Sequence, residues 1–272
     1  MEKITVGGLS MDRLGLGTFR LTGEACRAAV AQALALGYRH IDTAEMYGNE
    51  AEIGAAIAES GISRVDLHVT SKVWWEHLTP DGIRRAAEAS LKALRLDHLD
   101  LYLIHWPAPG MDLPAALGAM MQLREAGLTR AIGVSNFPKA LLRQAVEDVR
   151  APIVCNQIEY HVLLDQSPVL TYAREKGLFV TAYCPLAQGA LADHPTLIEI
   201  AKKHQASPAQ IALKWLLDQP GVATIPKAGR RESQAANLAA WTITLDDHDR
   251  ARIAALPKNQ RRVSPPFAPQ WD

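Results

Sequence analysis

The chain is paced at about thirty residues, and that pacing limits its fold more than any other feature. Asp42, Lys72, His105 and Ser135 each close or directly follow a short apolar run, at steps of 30, 33 and 30 residues. One strand–helix–strand unit takes about thirty residues. The runs read as strands: Leu14 to Gly17, Tyr38 to Ile41, Val65 to Ser71, Leu99 to Ile104, Ala131 to Val134, Ile153 to Cys155, Leu178 to Ala182 and Val222 to Ile225. Helical patterns fall between them. Glu24 to Leu36 is alanine-rich and stops at Gly37, and Thr79-Pro80 opens a helix to about Leu94 with a cap and a proline in its first turn. Leu113 to Ala126, Lys139 to Val146 and Pro168 to Lys176 follow. Ser207 and Gln210 have the capping-box spacing ahead of a helix to about Asp218, and two more helices cover Arg231 to Ala239 and Asp246 to Leu256.

Strand and helix in alternation mean a parallel sheet. Eight repeats in 272 residues favour a closed (β/α)8 TIM barrel over an open doubly wound sheet. A dinucleotide fingerprint would need a third glycine after Gly15 and Gly17, and Arg20 stands there instead. A short hairpin around Gly7-Gly8 precedes the barrel, extra helices follow late, and residues 1–272 read as one barrel domain. The proline-rich tail from Arg261, ending in Trp271-Asp272, is expected to lie across one barrel face.

Composition excludes several roles. Basic and acidic residues balance at 29 each, which disfavours a nucleic-acid surface. No apolar run nears the roughly eighteen residues of a membrane span, and Met-Glu-Lys-Ile-Thr-Val lacks the apolar region of a signal peptide. Cys26, Cys155 and Cys184 are far apart, so neither a disulfide framework nor a metal site is expected. The expectation is a cytoplasmic protein.

In such a barrel, residues at strand ends converge on the C-terminal mouth, where active sites sit. Asp42, Lys72 and His105 are placed there, and Tyr47 lies in the loop after Asp42. Each alone has a plainer role as a solvated charge, a core imidazole, a loop cap or a packing ring. Together they suit proton transfer. A buried Lys72 beside Tyr47 would lower a phenol pKa that is about 10 when unperturbed, Asp42 would keep Lys72 charged, and His105 would orient a substrate oxygen. Tyr47 is then a proton donor to a carbonyl, with hydride supplied by a nicotinamide.

Four segments carry a resemblance: Gly37 to Glu50 (GYRHIDTAEMYGNE), Leu99 to Pro107 (LDLYLIHWP), Gly133 to Phe137 (GVSNF) and Val154 to Tyr160 (VCNQIEY). The sequence resembles the aldo-keto reductases from end to end. Its short loops and its Arg262 to Asp272 ending look most like the bacterial 2,5-diketo-D-gluconate reductase branch, B type. The resemblance implies a barrel that binds NADPH without a Rossmann motif, and a tetrad of Asp42, Tyr47, Lys72 and His105. It implies that Ser135, Asn136 and Gln157 hold the carboxamide, Tyr183 stacks on the nicotinamide, Gly17 and Thr18 approach its ribose, and Leu186 lies along the pyrophosphate. Lys227 and Asn237 match the family's last-strand pattern. Ala228 and Ser233 replace its serine and arginine, leaving Arg230 or the adjacent Arg231 as the candidate contact for the 2′-phosphate. Phe19, Trp74 and Trp106 match substrate-pocket aromatics, and Trp271 is a further candidate to close the pocket. Small dicarbonyls, aromatic aldehydes and keto sugars are the expected substrates, and a monomer the expected state. Two other readings stay open here: a redox-sensing subunit with little turnover, and a Schiff-base barrel enzyme using Lys72, which Asp42 beside it disfavours.

Overall fold

The computed structural model describes residues 2–272. Hairpin strands β1 (Lys3–Val6) and β2 (Leu9–Asp12) pair Val6 with Leu9 across Gly7 and Gly8. Both glycines have positive φ, 58° and 82°, the backbone a two-residue hairpin turn of matching twist requires.

The barrel strands are β3 (Leu16–Gly17), β4 (His40–Asp42), β5 (His68–Val73), β6 (Leu99–Ile104), β7 (Thr129–Ser135), β8 (Ile153–Glu159), β9 (Phe179–Tyr183) and β10 (Val222–Thr224). They lie in chain order, all parallel. Bridges Leu14–Thr224 and Gly17–Lys227 join the last strand to the first. The seam leaves no room for a side chain: a Cβ on Gly17 would sit 2.5 Å from the Ile225 carbonyl oxygen. The helices between strands are α1 (Gly23–Ala35), α2 (Glu50–Glu59), α3 (Pro80–Leu94), α4 (Leu113–Glu125), α5 (Lys139–Arg143) and α6 (Ser167–Glu175). α7 (Pro195–Lys203), α8 (Pro208–Leu217), α9 (Arg231–Ala239) and α10 (Asp247–Ala254) follow.

Most boundaries read from the sequence hold to within a residue or two, and four features differ. The third run starts at His68, because Arg64–Asp66 is a tight 3-10 turn and Val65 is exposed. β8 runs on to Glu159, past the apolar stretch that marks it in the sequence, so its functional end is polar. The Lys139 helix changes to a π-helical turn at Gln144–Asp148. α7 is a helix that the sequence pattern does not announce. It packs on α8 and α10 through Leu197, Ile200 and Ala201, in a core of its own.

The main core lies between sheet and helices. Inside the barrel, Leu101, Leu103, Ala131, Val154, Cys155, Phe179 and Ala223 pack with Leu9 and Met11 of the hairpin, which therefore stops the N-terminal end. The opposite mouth stays open for polar groups.

Candidate active site

Thr43 through Gly48 form the loop that brings Tyr47 back over the mouth. Glu45–Tyr47 is one 3-10 turn, closed by Gly48 at φ 63°. Buried Asn49 fixes it by donating to the Thr18 and Leu21 carbonyls at 3.0 and 2.9 Å and accepting from Thr43 Oγ1 at 2.8 Å. Asn49 thus ties the loop to the segment that follows the first barrel strand and makes no side-chain cap to α2.

Lys72 on β5 is fully buried. Its Nζ donates to Asp42 Oδ1 at 2.6 Å and the Thr43 carbonyl at 2.7 Å, and reaches the Tyr47 hydroxyl at 3.5 Å. The Tyr47 ring meets His105 edge-on, with centroids 5.6 Å apart. Asp42, Lys72 and His105 therefore converge, as the thirty-residue pitch implies, and the loop brings Tyr47 to them.

Their protonation follows from burial and from the ion pair. Burial pulls the Lys72 ammonium down, but the Asp42 carboxylate and Tyr47 outweigh it and leave its pKa raised. His105 is pushed well below its usual value, first by burial and then by Lys72, and so is neutral. For Tyr47 the expectation of a lowered pKa is overturned: burial raises the phenol, outweighing Lys72, which acts the other way. Much of the Lys72 charge is already answered by Asp42, 2.6 Å away, so its pull on the phenol is weakened. Tyr47 is therefore a protonated phenol near neutral pH.

A cleft of about 510 Å³ opens beside this cluster. Among the proposed cofactor and substrate residues, Gly17, Thr18, Asn136, Gln157, Tyr183, Leu186, Lys227, Phe19 and Trp106 line it. Gln157 Nε2 donates to Asp42 Oδ2 at 2.7 Å, a bond that no sequence pattern announces. Asn136, at φ 63°, has both ends of its amide engaged. It donates to the His105 carbonyl at 2.9 Å and accepts from the Tyr183 hydroxyl at 2.7 Å. That tether fixes the Tyr183 ring as a flat wall of the cleft. Ser135 is fully buried and donates to the Gln157 carbonyl at 2.8 Å, so its hydroxyl is turned into the wall. Arg230 and Arg231 are exposed at the start of α9, and Asn237 is buried on that helix. These three and Ser135 lie outside the cleft lining.

Trp74 stands behind His105, with ring centroids 5.2 Å apart. The tail does cross this face. Phe267 packs within 4.9 Å of Trp75 and 5.7 Å of both Trp74 and Trp106, and Trp271 lies 6.0 Å from Trp106. Asp272 closes the crossing by accepting from the Lys139 amide at 2.8 Å. Val263 and Cys184 also line the cleft. Sequence reasoning misses Phe267, Val263 and Trp75. The tail's lack of period hides the first two, while Trp75, beside Trp74 at a strand end, is a readable signal.

The residues present fit a nicotinamide. The flat, tethered Tyr183 and the amide of Gln157 sit where the cleft meets the Tyr47–Lys72–His105 cluster, and Lys227 carries a cation at the cleft's edge. Fold and site together define a barrel oxidoreductase. The chain belongs to the aldo/keto reductase family, whose sequence profile matches residues 13–258, and aldo-keto reductases use nicotinamide cofactors. It is 43% identical over 268 residues to methylglyoxal reductase DkgB of Salmonella typhi, covering 97% of this chain and all of that protein. Over 256 residues it is 41% identical to a glyoxal reductase of Bacillus subtilis, covering 93% and 92% of the two chains. A crystal structure described as that of a candidate 2,5-diketo-D-gluconic acid reductase B superposes with a TM-score of 0.97 at 39% identity, covering 100% and 98%.

Proposed function

We propose that this protein reduces aldehydes and ketones to alcohols with NADPH, taking small dicarbonyls such as methylglyoxal and glyoxal, aromatic aldehydes and keto sugars of the 2,5-diketo-D-gluconate kind. The observation that carries it is the Lys72 ammonium, 2.6 Å from Asp42 and 3.5 Å from the Tyr47 hydroxyl. Hydride is supplied by the reduced nicotinamide when bound. The Tyr47 phenol gives its proton to the carbonyl oxygen as the carbonyl carbon gains hydride. Lys72 then faces the phenolate and stabilises it by charge, and Asp42 holds the ammonium in place. Neutral His105 can hydrogen-bond the carbonyl oxygen and orient it without competing as an acid. Tyr183 and Gln157 form the wall for the nicotinamide and carboxamide. Asn136 and Ser135 brace that wall, since their polar groups bond within the protein.

Arg230, Arg231 and Lys227 support NADPH over NADH, because an extra phosphate is favoured beside cations at a helix start. The proton-transfer side chains named above all belong to one chain, and we take the working unit to be a monomer.

The test is purified protein with methylglyoxal and with phenylglyoxal, following nicotinamide absorbance with NADPH and NADH separately, beside Tyr47→Phe. Oxidation of NADPH that Tyr47→Phe abolishes is expected. Equal rates in the two proteins would remove Tyr47 as the acid, and no oxidation with either nucleotide would remove the activity.

A further inference from the structure

Glu159 ends β8 with its side chain fully buried, yet it touches none of the four proton-transfer residues. Its Oε1 accepts the Arg262 amide at 2.7 Å and its Oε2 the Val263 amide at 2.8 Å. His161 Nε2, also fully buried, lies 2.9 Å from Oε1. Gln166 donates to the Glu159 carbonyl at 2.6 Å, fixing the strand end that carries it. A carboxylate without water must have its lone pairs met by donors, and here two of them are consecutive amides of the tail. Val263 lines the cleft, and the segment after it carries Phe267 and Trp271 onto Trp74, Trp75 and Trp106.

We infer that Glu159 is a specificity-determining positioning residue, a latch that docks the tail at Arg262–Val263 and so holds the aromatic wall over the carbonyl site. The wall adds contact for a bulky aromatic aldehyde and little for a compound the size of methylglyoxal. The selectivity half of this inference rests on the reductase reading above; the latch itself does not.

The experiment uses the intact protein and three variants. Glu159→Gln replaces one acceptor with a donor facing a tail amide. Arg262→Pro removes one of the two donors. Arg262→Ala keeps that donor and removes only the side chain. Amide hydrogen exchange is followed over 263–272, and KM is measured for nitrobenzaldehyde and methylglyoxal.

Glu159→Gln and Arg262→Pro should speed exchange throughout the tail. Both should raise KM for nitrobenzaldehyde about tenfold relative to methylglyoxal, the size of one aromatic pairing, and Arg262→Ala should do neither. Should Glu159→Gln fail to fold, the Arg262 pair decides. Unchanged exchange in Arg262→Pro overturns the latch. Faster exchange with unchanged selectivity, or an equal loss of turnover on both aldehydes, overturns the specificity role. A wild-type protein that turns over neither aldehyde counts against the reductase reading and against selectivity by this route, while exchange still decides the latch.

Discussion

Gln157 donates its side-chain amide to Asp42 at 2.7 Å, across the barrel from β8 to β4. Both Asp42 oxygens are therefore engaged, one by Lys72 and the other by Gln157. The wall of the cleft and the Asp42–Lys72–Tyr47 cluster form one hydrogen-bonded body. Replacing Gln157 by Leu leaves a buried carboxylate oxygen unmet, which costs about 1–3 kcal/mol. Urea unfolding should show that loss, and reductase turnover should fall as the carboxylate shifts. Unchanged stability would mean that the bond contributes nothing.

The Asp42–Lys72 pair is buried on both sides, with side-chain exposures of 2% and 0%. Removing one partner strands the other's charge, at about 3–5 kcal/mol, whereas replacing both by apolar groups can be nearly neutral. Lys72→Met alone is expected to be strongly destabilised. Asp42→Leu combined with Lys72→Met should regain most of the stability and none of the activity. Recovered stability without activity would place the pair in the chemistry. A double variant as unstable as the single would make it structural.

Much of this is legible in the residues alone, for a physical reason. A βαβ unit has a fixed length, so strand ends recur at a set pitch, and polar residues at that pitch must meet at one mouth. Asp42, Lys72 and His105 can be placed that way. What depends on side-chain direction cannot. Ser135 and Gln157 carry equally polar side chains at strand ends, yet one turns into the wall and the other reaches Asp42. That the tail crosses a barrel face is legible, but where it seats is hidden for a different reason. Its seat depends on Glu159 meeting backbone amides, which every non-proline residue possesses, so no residue pattern marks the partner. The direction of the Tyr47 shift needs burial and charge weighed together, and sequence supplies only the charge.

Acid should weaken the fold through its buried imidazoles. His40, His68 and His105 all have pKa values lowered from 6.5, burial being the first cause in each. The unfolded chain then binds more protons than the folded one below that value, so stability falls as pH drops through it. Each imidazole that stays neutral costs about 1.4 kcal/mol per pH unit below its unfolded pKa. Unfolding free energies from urea titrations should be nearly flat from about pH 7.5 to about pH 6.5 and then decline towards about pH 5.5, by about 1.4 kcal/mol per pH unit for each imidazole that stays neutral. His68→Gln should flatten that decline, and an unfolding free energy that does not move with pH would contradict neutral burial.

On the proposed reading, the choice of NADPH over NADH turns on the start of α9. Arg230 is its N-cap and Arg231 its first residue, both exposed, while Ala228 and Ser233 carry no charge. An added phosphate here would meet two guanidinium groups and the free amides of a helix start. NADH has no such phosphate, so its binding should be indifferent to both arginines. Each charge-assisted hydrogen bond is worth about 1.5–3 kcal/mol, or roughly tenfold to a hundredfold in affinity. Arg230→Ala and Arg231→Ala, made singly and together, should weaken NADPH binding by that much for each arginine that bonds the phosphate, and leave NADH within about twofold. Quenching of tryptophan fluorescence on titration with each nucleotide measures this without turnover. Raising salt should erode the NADPH advantage, since exposed charges are screened. Parallel losses for the two nucleotides would show that the arginines act on something the two share, such as the pyrophosphate, and the preference would then have to come from Lys227.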